Sequence, residues 1–514
     1  MQTDKLILTH RAALRGKYGN GARAIDAAIK ALIAADKARG LVSRRIDIDA
    51  TVPAPGAGAA ATTLRRLTKD AIDAAFKRHD PDYLMIVGGP DVVVMQELAN
   101  PMNANHDPGD DDDDAVVPSD LPYACEQAYS DDAADFLGPT RVIGRLPDLP
   151  DADDPAYLVS VLKHAAQAKT RPREEYSSYF GLTAAVWKKS THLSLENMFG
   201  DASKLRVSPP SGPTWSASAL APRIHFINCH GSDKSPRFYG QKTKDDFPTA
   251  HFSPKLAGKV STGTVVAAEC CYGAQLYDPA EASEARNQGI PGIAATYLAE
   301  GAWGVFGSTT IAYGPSEGNG QADLICQYFI RAVRDGASLG RAALEARHRF
   351  ASQLSHLDPS DLKTLAQFIL LGDPSIQAVA SPTHALARTP AFKRAFGGHA
   401  SPGSRMFRRE RMARTGHNLA HTLGAVEPIA RPSVPLGVER VLRTIARESG
   451  LGDCTLRAYR VVKGGRTKKE VAQRRIYTLS GAIGGRVADG GRVVSIVATT
   501  ERGQIVHLRR VHSR

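Results

Sequence analysis

Short apolar runs alternate with longer segments of helical periodicity from the start of the chain to about residue 380. Several of these runs are unbroken, which is typical of strands covered on both faces of a parallel sheet. Strand followed by helix predicts right-handed crossovers and an α/β fold with mainly parallel sheets. The predicted strands are Lys5–Thr9, Arg44–Asp49, Tyr83–Val87, Arg141–Leu146, Ala184–Trp187, Ile224–Cys229, Thr264–Cys270, Gly304–Ala312 and Phe368–Leu371. The predicted helices are Ala22–Arg39, Leu67–Arg78, Ala156–Ala168, Gln321–Asp335 and Arg341–Leu354.

The α/β pattern occurs twice, which predicts two tandem subdomains at residues 1–170 and 177–380. A chain of 514 residues is too long for one compact core, so this division is expected. Residues 381–435 are rich in Pro, Gly, Ser and Arg and are predicted to be a basic, partly helical linker. Residues 436–514 are predicted to form a small basic α+β module. Its predicted elements are a helix at Val438–Glu448 and strands at Thr455–Val462, Arg475–Leu479, Arg492–Thr499 and Gln504–Arg510.

The net charge of +12 is unevenly distributed along the chain. Residues 1–380 carry 39 Lys and Arg against 45 Asp and Glu, a net charge of −6, whereas residues 381–514 carry 26 against 8, a net charge of +18. The basic part is therefore predicted to bind an acidic partner, a nucleic acid or the acidic portion of the same chain. It has no RNA-binding or zinc-finger pattern, so an adaptor or regulatory module is favoured over specific nucleic-acid recognition.

Several classes of protein are excluded at this stage. No signal-peptide pattern opens the sequence and no apolar stretch reaches membrane-spanning length, so a non-membrane, cytoplasmic protein is expected. The six cysteines are too scattered for a disulfide framework. Phosphate-loop, HExxH and GxGxxG motifs are absent, and no cofactor or metal is predicted to be required. The aspartate run within Asp107–Asp114 is interpreted as a solvated loop.

Two predicted strand ends carry reactive side chains. One apolar strand ends in Cys229-His230-Gly231-Ser232, and the next ends in Glu269-Cys270-Cys271-Tyr272-Gly273. In an open parallel sheet the functional crevice lies at the carboxyl ends of the strands, so a His and a Cys at two such ends can face one cleft.

A cysteine and a histidine in one cleft suit acyl transfer. The imidazole of His230 would activate the thiol of Cys271, which would form a thioester with substrate. The amides of Gly231 and Cys271 are candidates for the oxyanion site. A purely structural His and Cys are the alternative interpretation.

The neighbouring Cys270 competes with Cys271 for the role of nucleophile. Because strand residues alternate faces, Cys271 shares a side with Glu269, whereas Cys270 points toward the core. Cys271 is therefore favoured and is expected to be exposed. The same alternation opposes a zinc site, since each adjacent pair, Cys229 with His230 and Cys270 with Cys271, can lend only one ligand.

The chain resembles the gingipain-type cysteine peptidases, which share the caspase-like fold, from its start to about residue 380. The similar motifs of the first half are Leu6-Ile7-Leu8-Thr9-His10, Pro81 to Gly89, Ser119 to Tyr123, and Ile143-Gly144-Arg145-Leu146-Pro147. Those of the second half are His230-Gly231-Ser232, Glu269 to Ala274, Gly307-Ser308-Thr309-Thr310, and Leu371-Gly372-Asp373-Pro374-Ser375.

The resemblance implies a three-layer, caspase-like sandwich in which a non-catalytic subdomain packs on a catalytic one carrying Cys271 and His230. It implies that Glu269 and Tyr313 line the pocket for the residue before the scissile bond, the S1 pocket, and Ser232 is a further candidate for substrate binding. Asp148 is the candidate carboxylate to orient His230. Preference for a basic residue is not inherited, since Ser160 aligns with the acidic position of the arginine-cleaving form. Calcium is common in relatives, but its ligands are not matched here.

The favoured hypothesis is an intracellular, regulated cysteine endopeptidase with few protein or peptide targets. A caspase-like scaffold with a vestigial dyad, recruited through its basic module, is the alternative. An acyl transferase or ligase that uses the same thioester chemistry is the third.

Overall fold

The computed structural model describes residues 3–103, 112–243, 245–354, 356–380, 402–424, 426–430, 432–462, 474–483 and 492–514. Its main feature is a ten-stranded sheet in the order β2-β1-β3-β6-β16-β14-β13-β9-β7-β8. Every neighbouring pair in this sheet is parallel except β14 with β16. The predicted α/β fold with a mainly parallel sheet is therefore confirmed. The strands of this sheet are β1 (Lys5–Thr9), β2 (Ser43–Asp47), β3 (Tyr83–Val87), β6 (Ile143–Leu146), β7 (Tyr179–Ala184), β8 (Leu205–Ser208), β9 (Ile224–Asn228), β13 (Val265–Ala268), β14 (Gly304–Ser308) and β16 (Phe368–Gly372).

The strands of residues 1–170 and 177–380 belong to one continuous sheet. The two sets meet where β6 pairs with β16, at Arg145 and Leu371. Short strands outside this sheet form a hairpin of β4 (Gln96–Ala99) with β5 (Val116–Ser119) and a three-stranded sheet of β10 (His230–Gly231), β11 (Arg237–Tyr239) and β12 (Thr249–Phe252).

Helices pack on the sheet in two groups. In one group α2 and α7 both contact α4, and in the other α8 contacts α5, α9 and α10. The helices of residues 1–380 are α1 (Arg11–Tyr18), α2 (Ala22–Ala38), α3 (Ala61–His79), α4 (Ala156–Ala166), α5 (Lys188–Phe199), α6 (Ala217–Leu220), α7 (Ile293–Ala299), α8 (Gln321–Arg334), α9 (Leu339–Ser352) and α10 (Pro359–Gln367). No helix in the ranges given above is long and apolar enough to cross a membrane.

One predicted strand is displaced. The apolar run Ala184–Trp187 was expected to be a strand, but residues 185–187 form a 3₁₀ turn and the strand β7 precedes it. Gly181 lies in the middle of β7, and a glycine in a strand weakens the local β signal. A Cβ at this position would lie 3.0 Å from side-chain atoms of Leu195 and Tyr179, so tight tertiary packing favours the glycine that obscures the strand.

The predicted C-terminal module has the expected elements. Antiparallel strands β17 (Val426–Pro428), β18 (Thr455–Val461), β19 (Arg474–Ile483), β20 (Arg492–Glu501) and β21 (Gln504–Ser513) form its sheet. The helix α11 (Pro402–Thr422) lies in the predicted linker, whose residues 381–401 are outside the described part, and α12 (Leu436–Glu448) packs against β19 and β20. A sixth strand, β15 (Tyr313–Gly314), comes from the second α/β unit and pairs with β21.

Arginines of the basic C-terminal part form ion pairs with carboxylates of residues 1–380. Arg509 contacts the carboxylates of Asp358 and Asp361, and Arg514 contacts that of Asp323. Some of the basic charge is thus neutralised within the chain. The acidic portion of the same chain was one of the three predicted partners.

The end of the aspartate run is buried, so its interpretation as a solvated loop is wrong there. Asp112 is 1% exposed, binds the Lys363 ammonium at 2.7 Å and accepts a hydrogen bond from the Tyr313 hydroxyl at 2.7 Å. Asp114 binds Lys363 at 3.1 Å and accepts a hydrogen bond from the Tyr272 hydroxyl at 2.9 Å. Residues 107–111 of the run lie outside the described residues.

A buried lysine connects the two ends of the α/β portion. Lys5 on β1 is fully buried and binds Asp36 at 2.7 Å and Asp373, just after β16, at 2.6 Å. We expect Lys5→Met to lower the free energy of unfolding by about 3–5 kcal/mol, because it leaves the buried Asp373 without its cation and Asp36 with Arg39 alone. Denaturant unfolding measures the loss. Lys30→Met, at an exposed position of α2, is the matched control, and equal stability of the two variants would contradict the role of Lys5.

Candidate active site

His230 and Cys271 follow neighbouring strands at the same edge of the large sheet. β9 and β13 are parallel partners with Ile227 opposite Ala268, and the two residues lie just beyond these ends. The backbone at Gly231 is in close contact with that of Cys271, since a Cβ on Gly231 would lie 1.7 Å from the carbonyl oxygen of Cys271. Only glycine fits there, so the segment after the histidine is held directly against the cysteine.

Cys271 is fully buried. The amide of Ala312 donates to its sulfur at 3.3 Å, and the sulfur lies 3.7 Å from the Ala312 carbonyl oxygen. Burial raises the pKa of the thiol to about 12, although the amides of Ala312 and Arg514 favour the thiolate. The predicted exposure of Cys271 is therefore wrong, because residues of the C-terminal module lie over the sulfur.

Cys270 has a separate environment. Its sulfur accepts a hydrogen bond from the amide of Cys229 at 3.3 Å and lies 3.7 Å from the carbonyl oxygen of Ile227, both near the end of β9. Burial raises the pKa of this thiol well above its ordinary value. Cys270 is thus a packing residue between two strands, as its position in the sequence predicts. Within the described ranges, no group of three or more His, Cys, Asp or Glu is placed to hold a metal ion.

The His230 ring is enclosed by two aromatic side chains and one amide. Trp187 and Phe247 lie 4.3 and 4.9 Å from it between ring centroids. Its Nε2 lies 3.1 Å from Gln241 Oε1, and Gln241 Nε2 donates to the Thr243 carbonyl at 3.1 Å. Because the Gln241 amide nitrogen is engaged by that carbonyl, the oxygen faces the ring and His230 Nε2 carries the proton. Nδ1 is then the basic nitrogen, and burial lowers the pKa of the imidazole to about 3.

The prediction that Asp148 orients His230 is wrong. Asp148 follows β6, which is four strands away from β9 in the sheet, or roughly 19 Å at about 4.8 Å per strand. Its carboxylate is buried and accepts hydrogen bonds from Lys17 at 2.8 Å, from Tyr18 at 2.5 Å and from the Gly89 amide. The partner of His230 is Gln241, which lies in a polar loop with no pattern that would identify it.

Glu269 lies beside an acidic residue that the sequence analysis did not single out. It is fully buried, and burial followed by the charge of Asp323 raises the pKa of its carboxyl well above the usual range. Burial and the neighbouring carboxylate therefore favour the protonated form of Glu269. Asp323, at the start of α8, accepts hydrogen bonds from Ser190 Oγ at 2.5 Å and from the Gly320 amide at 3.2 Å.

The guanidinium of Arg514 fills the space next to Asp323. Nη2 donates to both Asp323 oxygens at 2.7 and 2.8 Å, and Nη1 donates to Asn228 Oδ1 at 2.8 Å. The guanidinium carbon lies 4.8 Å from the centre of the Trp187 ring, and a Cβ on Gly314 would lie 2.1 Å from Nη2. We call the site formed by Trp187, Asn228, Gly314 and Asp323 the arginine pocket.

The remaining predicted substrate-binding residues occupy two different places. Tyr313 is fully buried in β15, beside the arginine pocket, and its hydroxyl is bound to Asp112. Ser232 is half-buried directly after Gly231. The structure thus brings His230, Gly231, Glu269, Cys271 and Tyr313 into one region and leaves Asp148 outside it.

Comparisons with known proteins identify one segment of the chain with a family. Residues 230–379 match the model of peptidase family C25, a match that begins at His230 and includes Cys271, Tyr313 and Asp323. No curated protein matches the sequence. A solved structure described as "Structure of Protease" aligns with a TM-score of 0.45 and 11% identity, covering 99% of this chain and 96% of the other.

Residues 230–379 carry the sequence pattern of peptidase family C25, a family of cysteine-type peptidases, which confirms the predicted resemblance to the gingipain type for this part of the chain.

Proposed function

We propose that the protein is a cysteine endopeptidase in which Cys271 is the nucleophile and His230 the general base. The observation that carries the proposal is the family match over 230–379, which includes both residues at the ends of two paired strands. The direct contact between Gly231 and the Cys271 backbone supports a dyad in which the two side chains reach one substrate.

Proton transfer from Cys271 to His230 would begin the reaction. The sulfur attacks the substrate carbonyl and forms a thioester, the imidazolium returns its proton to the leaving amine, and water then hydrolyses the thioester. Burial favours the neutral thiol and the neutral imidazole, with pKa values of about 12 and about 3, so the pair holds no charge before substrate arrives. The thiolate therefore forms during attack rather than in a resting ion pair.

The amides of Gly231 and Cys271 are the proposed donors to the oxyanion. Backbone N–H groups need no reorganisation when negative charge develops, which is why such sites contribute strongly to catalysis. Gln241 is the proposed positioning residue for His230, since it accepts the Nε2 proton and leaves Nδ1 free to receive the proton of the thiol.

The proposed architecture is caspase-like, with residues 177–380 as the catalytic subdomain. Glu269, Tyr313 and Ser232 are proposed to contact substrate, and the position of Glu269 beside Asp323 supports its place in a pocket. A cytoplasmic, regulated enzyme with few protein or peptide targets fits the burial of the candidate nucleophile. Calcium remains a candidate ligand without assigned residues.

Replacing Cys270 and Cys271 one at a time distinguishes the nucleophile from the packing residue. We expect Cys271→Ala to abolish peptide cleavage and covalent trapping by an electrophilic peptide, with a loss of stability similar to that of Cys270→Ala because both sulfurs are fully buried. Cys270→Ala should keep the trapping reaction, although loss of a buried sulfur lowers stability by about 1 kcal/mol. Mass spectrometry of the trapped protein identifies the modified residue.

The opposite pattern, with trapping lost only in Cys270→Ala, would reverse the assignment of the nucleophile. Trapping at neither cysteine would instead favour a caspase-like binding protein with a vestigial dyad.

The charge state of Glu269 predicts a pH-dependent difference in stability. Its pKa is near 4.5 when unfolded and well above that in the buried site, so protonated Glu269 contributes stability that is present below about pH 4.5. This contribution is lost as the pH rises toward the folded pKa. Glu269→Gln is neutral at every pH, so its stability relative to the wild type should increase from pH 5 to pH 8. Thermal unfolding across this range is the measurement, with the exposed Glu410→Gln as control. A difference that is constant with pH would contradict a protonated Glu269.

A further inference from the structure

The last strand of the chain runs along the candidate active site. β21 pairs antiparallel with β15, with His512 opposite Gly314 and Ser513 opposite Tyr313. The amide of Arg514 then donates to the Ala312 carbonyl at 2.9 Å. Ala312 is also the residue whose amide reaches Cys271 Sγ at 3.3 Å, so the extended segment 511–514 ends beside the candidate nucleophile.

An extended peptide that adds a strand to an exposed edge is a common mode of peptide recognition. Backbone hydrogen bonds supply affinity that is independent of sequence, and a pocket for one side chain supplies selectivity. Residues 511–514 combine both features: the pairing with β15 and the insertion of the Arg514 side chain into the arginine pocket.

The arginine pocket is built for a guanidinium. Arg514 is 1% exposed, and its charge is balanced by the equally buried Asp323. The planar group receives acceptors along its edge from Asp323, Asn228 and the Pro315 carbonyl, the last at 3.3 Å, and the Trp187 ring lies 4.8 Å from its central carbon. Nη1 and Nη2 bind acceptors at separate positions, and a planar guanidinium can reach both while it stacks near a ring, which the compact ammonium of lysine cannot do.

The charges around the pocket also favour one cation. Burial favours the protonated form of Glu269, and the Arg514 guanidinium forms its ion pair with Asp323. Hydrogen bonds from Ser190 and Gly320 hold the Asp323 carboxylate in place. Without a cation, this buried carboxylate would be left uncompensated, at a cost of several kcal/mol.

We propose that residues 511–514 occupy the substrate cleft of the chain in the manner of a substrate, with Arg514 in the pocket that selects the residue before the scissile bond. The same pocket, through Asp323, then selects arginine in peptide substrates, and Arg514 competes with them. This inference rests on the proposed function and extends it to specificity and to self-inhibition.

Attachment to the same chain gives the segment a high effective concentration. A tethered group is typically present at a local concentration in the millimolar range, so a free peptide of micromolar affinity competes poorly with it. The pairing of β21 with β20 also holds the strand close to the cleft when Arg514 leaves the pocket.

Arg514→Ala in the full chain tests whether residues 511–514 occupy the substrate cleft. We expect the rate of Cys271 alkylation by iodoacetamide, followed by mass spectrometry, to rise by roughly tenfold or more, because the occupant is released. Turnover of a fluorogenic peptide that ends in arginine should rise in parallel. Arg510→Ala, on the exposed side of the same strand, is the matched control and should behave like the wild type. Unchanged alkylation in Arg514→Ala would overturn the self-inhibition.

Peptide binding tests selectivity without catalysis. In a Cys271→Ala background, a fluorescent Val-His-Ser-Arg peptide should bind when residues 511–514 are also deleted, which frees the edge of β15, and should not bind the single variant. Peptides ending in Ala or Lys should bind at least about tenfold more weakly. Changing the peptide leaves Asp323 unaltered, so the comparison avoids any folding defect that Asp323→Asn would cause. Equal binding of the three peptides, or no binding of any, would overturn the arginine pocket.

The two proposals fail differently. Selective binding of the arginine peptide together with an inert Cys271 would contradict the peptidase and retain the pocket. Turnover that shows no preference for arginine and no response to Arg514→Ala would contradict the pocket and retain the peptidase.

Discussion

The backbone pairing of β9 with β13 is the constraint on which the candidate site depends. Parallel pairing in register brings both carboxyl ends to one edge of the sheet, and with them the segments that carry His230 and Cys271. The fit is close enough that Gly231 tolerates no side chain against the Cys271 carbonyl. β14 extends the same edge on the other side of β13 and leads to Ala312 and β15. The proposed nucleophile, the proposed base and β15 are therefore positioned by three adjacent strands.

Burial determines the electrostatics of the site. Loss of solvent stabilises the neutral forms of Cys271, His230 and Glu269, whereas Asp323 forms an ion pair with the Arg514 guanidinium. An arginine side chain entering this region is therefore stabilised by one charged partner among neutral ones. The polar groups that remain, Asn228 and the Pro315 carbonyl, determine its orientation rather than its charge.

Local patterns were sufficient for most of the fold. Unbroken apolar runs predicted β1, β3, β9 and β13 because strands buried on both faces leave that signal over four or five residues. The same reasoning located His230 and Cys271, which immediately follow such runs. β7 was displaced in the prediction because its glycine is favoured by tight packing, a contact that sequence periodicity does not encode.

The unpredicted parts of the site depend on distant contacts. Gln241 lies in a polar loop, Asp323 begins a helix and Arg514 is one arginine among many in a basic segment, so none has a distinguishing local pattern. Asp323 and Arg514 can be recognised only by their mutual contact, which joins residues 191 positions apart in the sequence. Asp148 shows the opposite error, since its sequence neighbourhood resembles the family while its strand lies at a remote place in the sheet.

The shared strand β15 also has a consequence for the order in which the site is assembled. It has two residues, it belongs to residues 1–380, and its only strand partner in the six-stranded sheet is β21. Translation proceeds from the N-terminus, and domains generally fold in that order. Cys271, His230 and Asp323 thus leave the ribosome before β21 is made. During synthesis, the proposed occupant of the cleft, residues 511–514, is made only after these three residues.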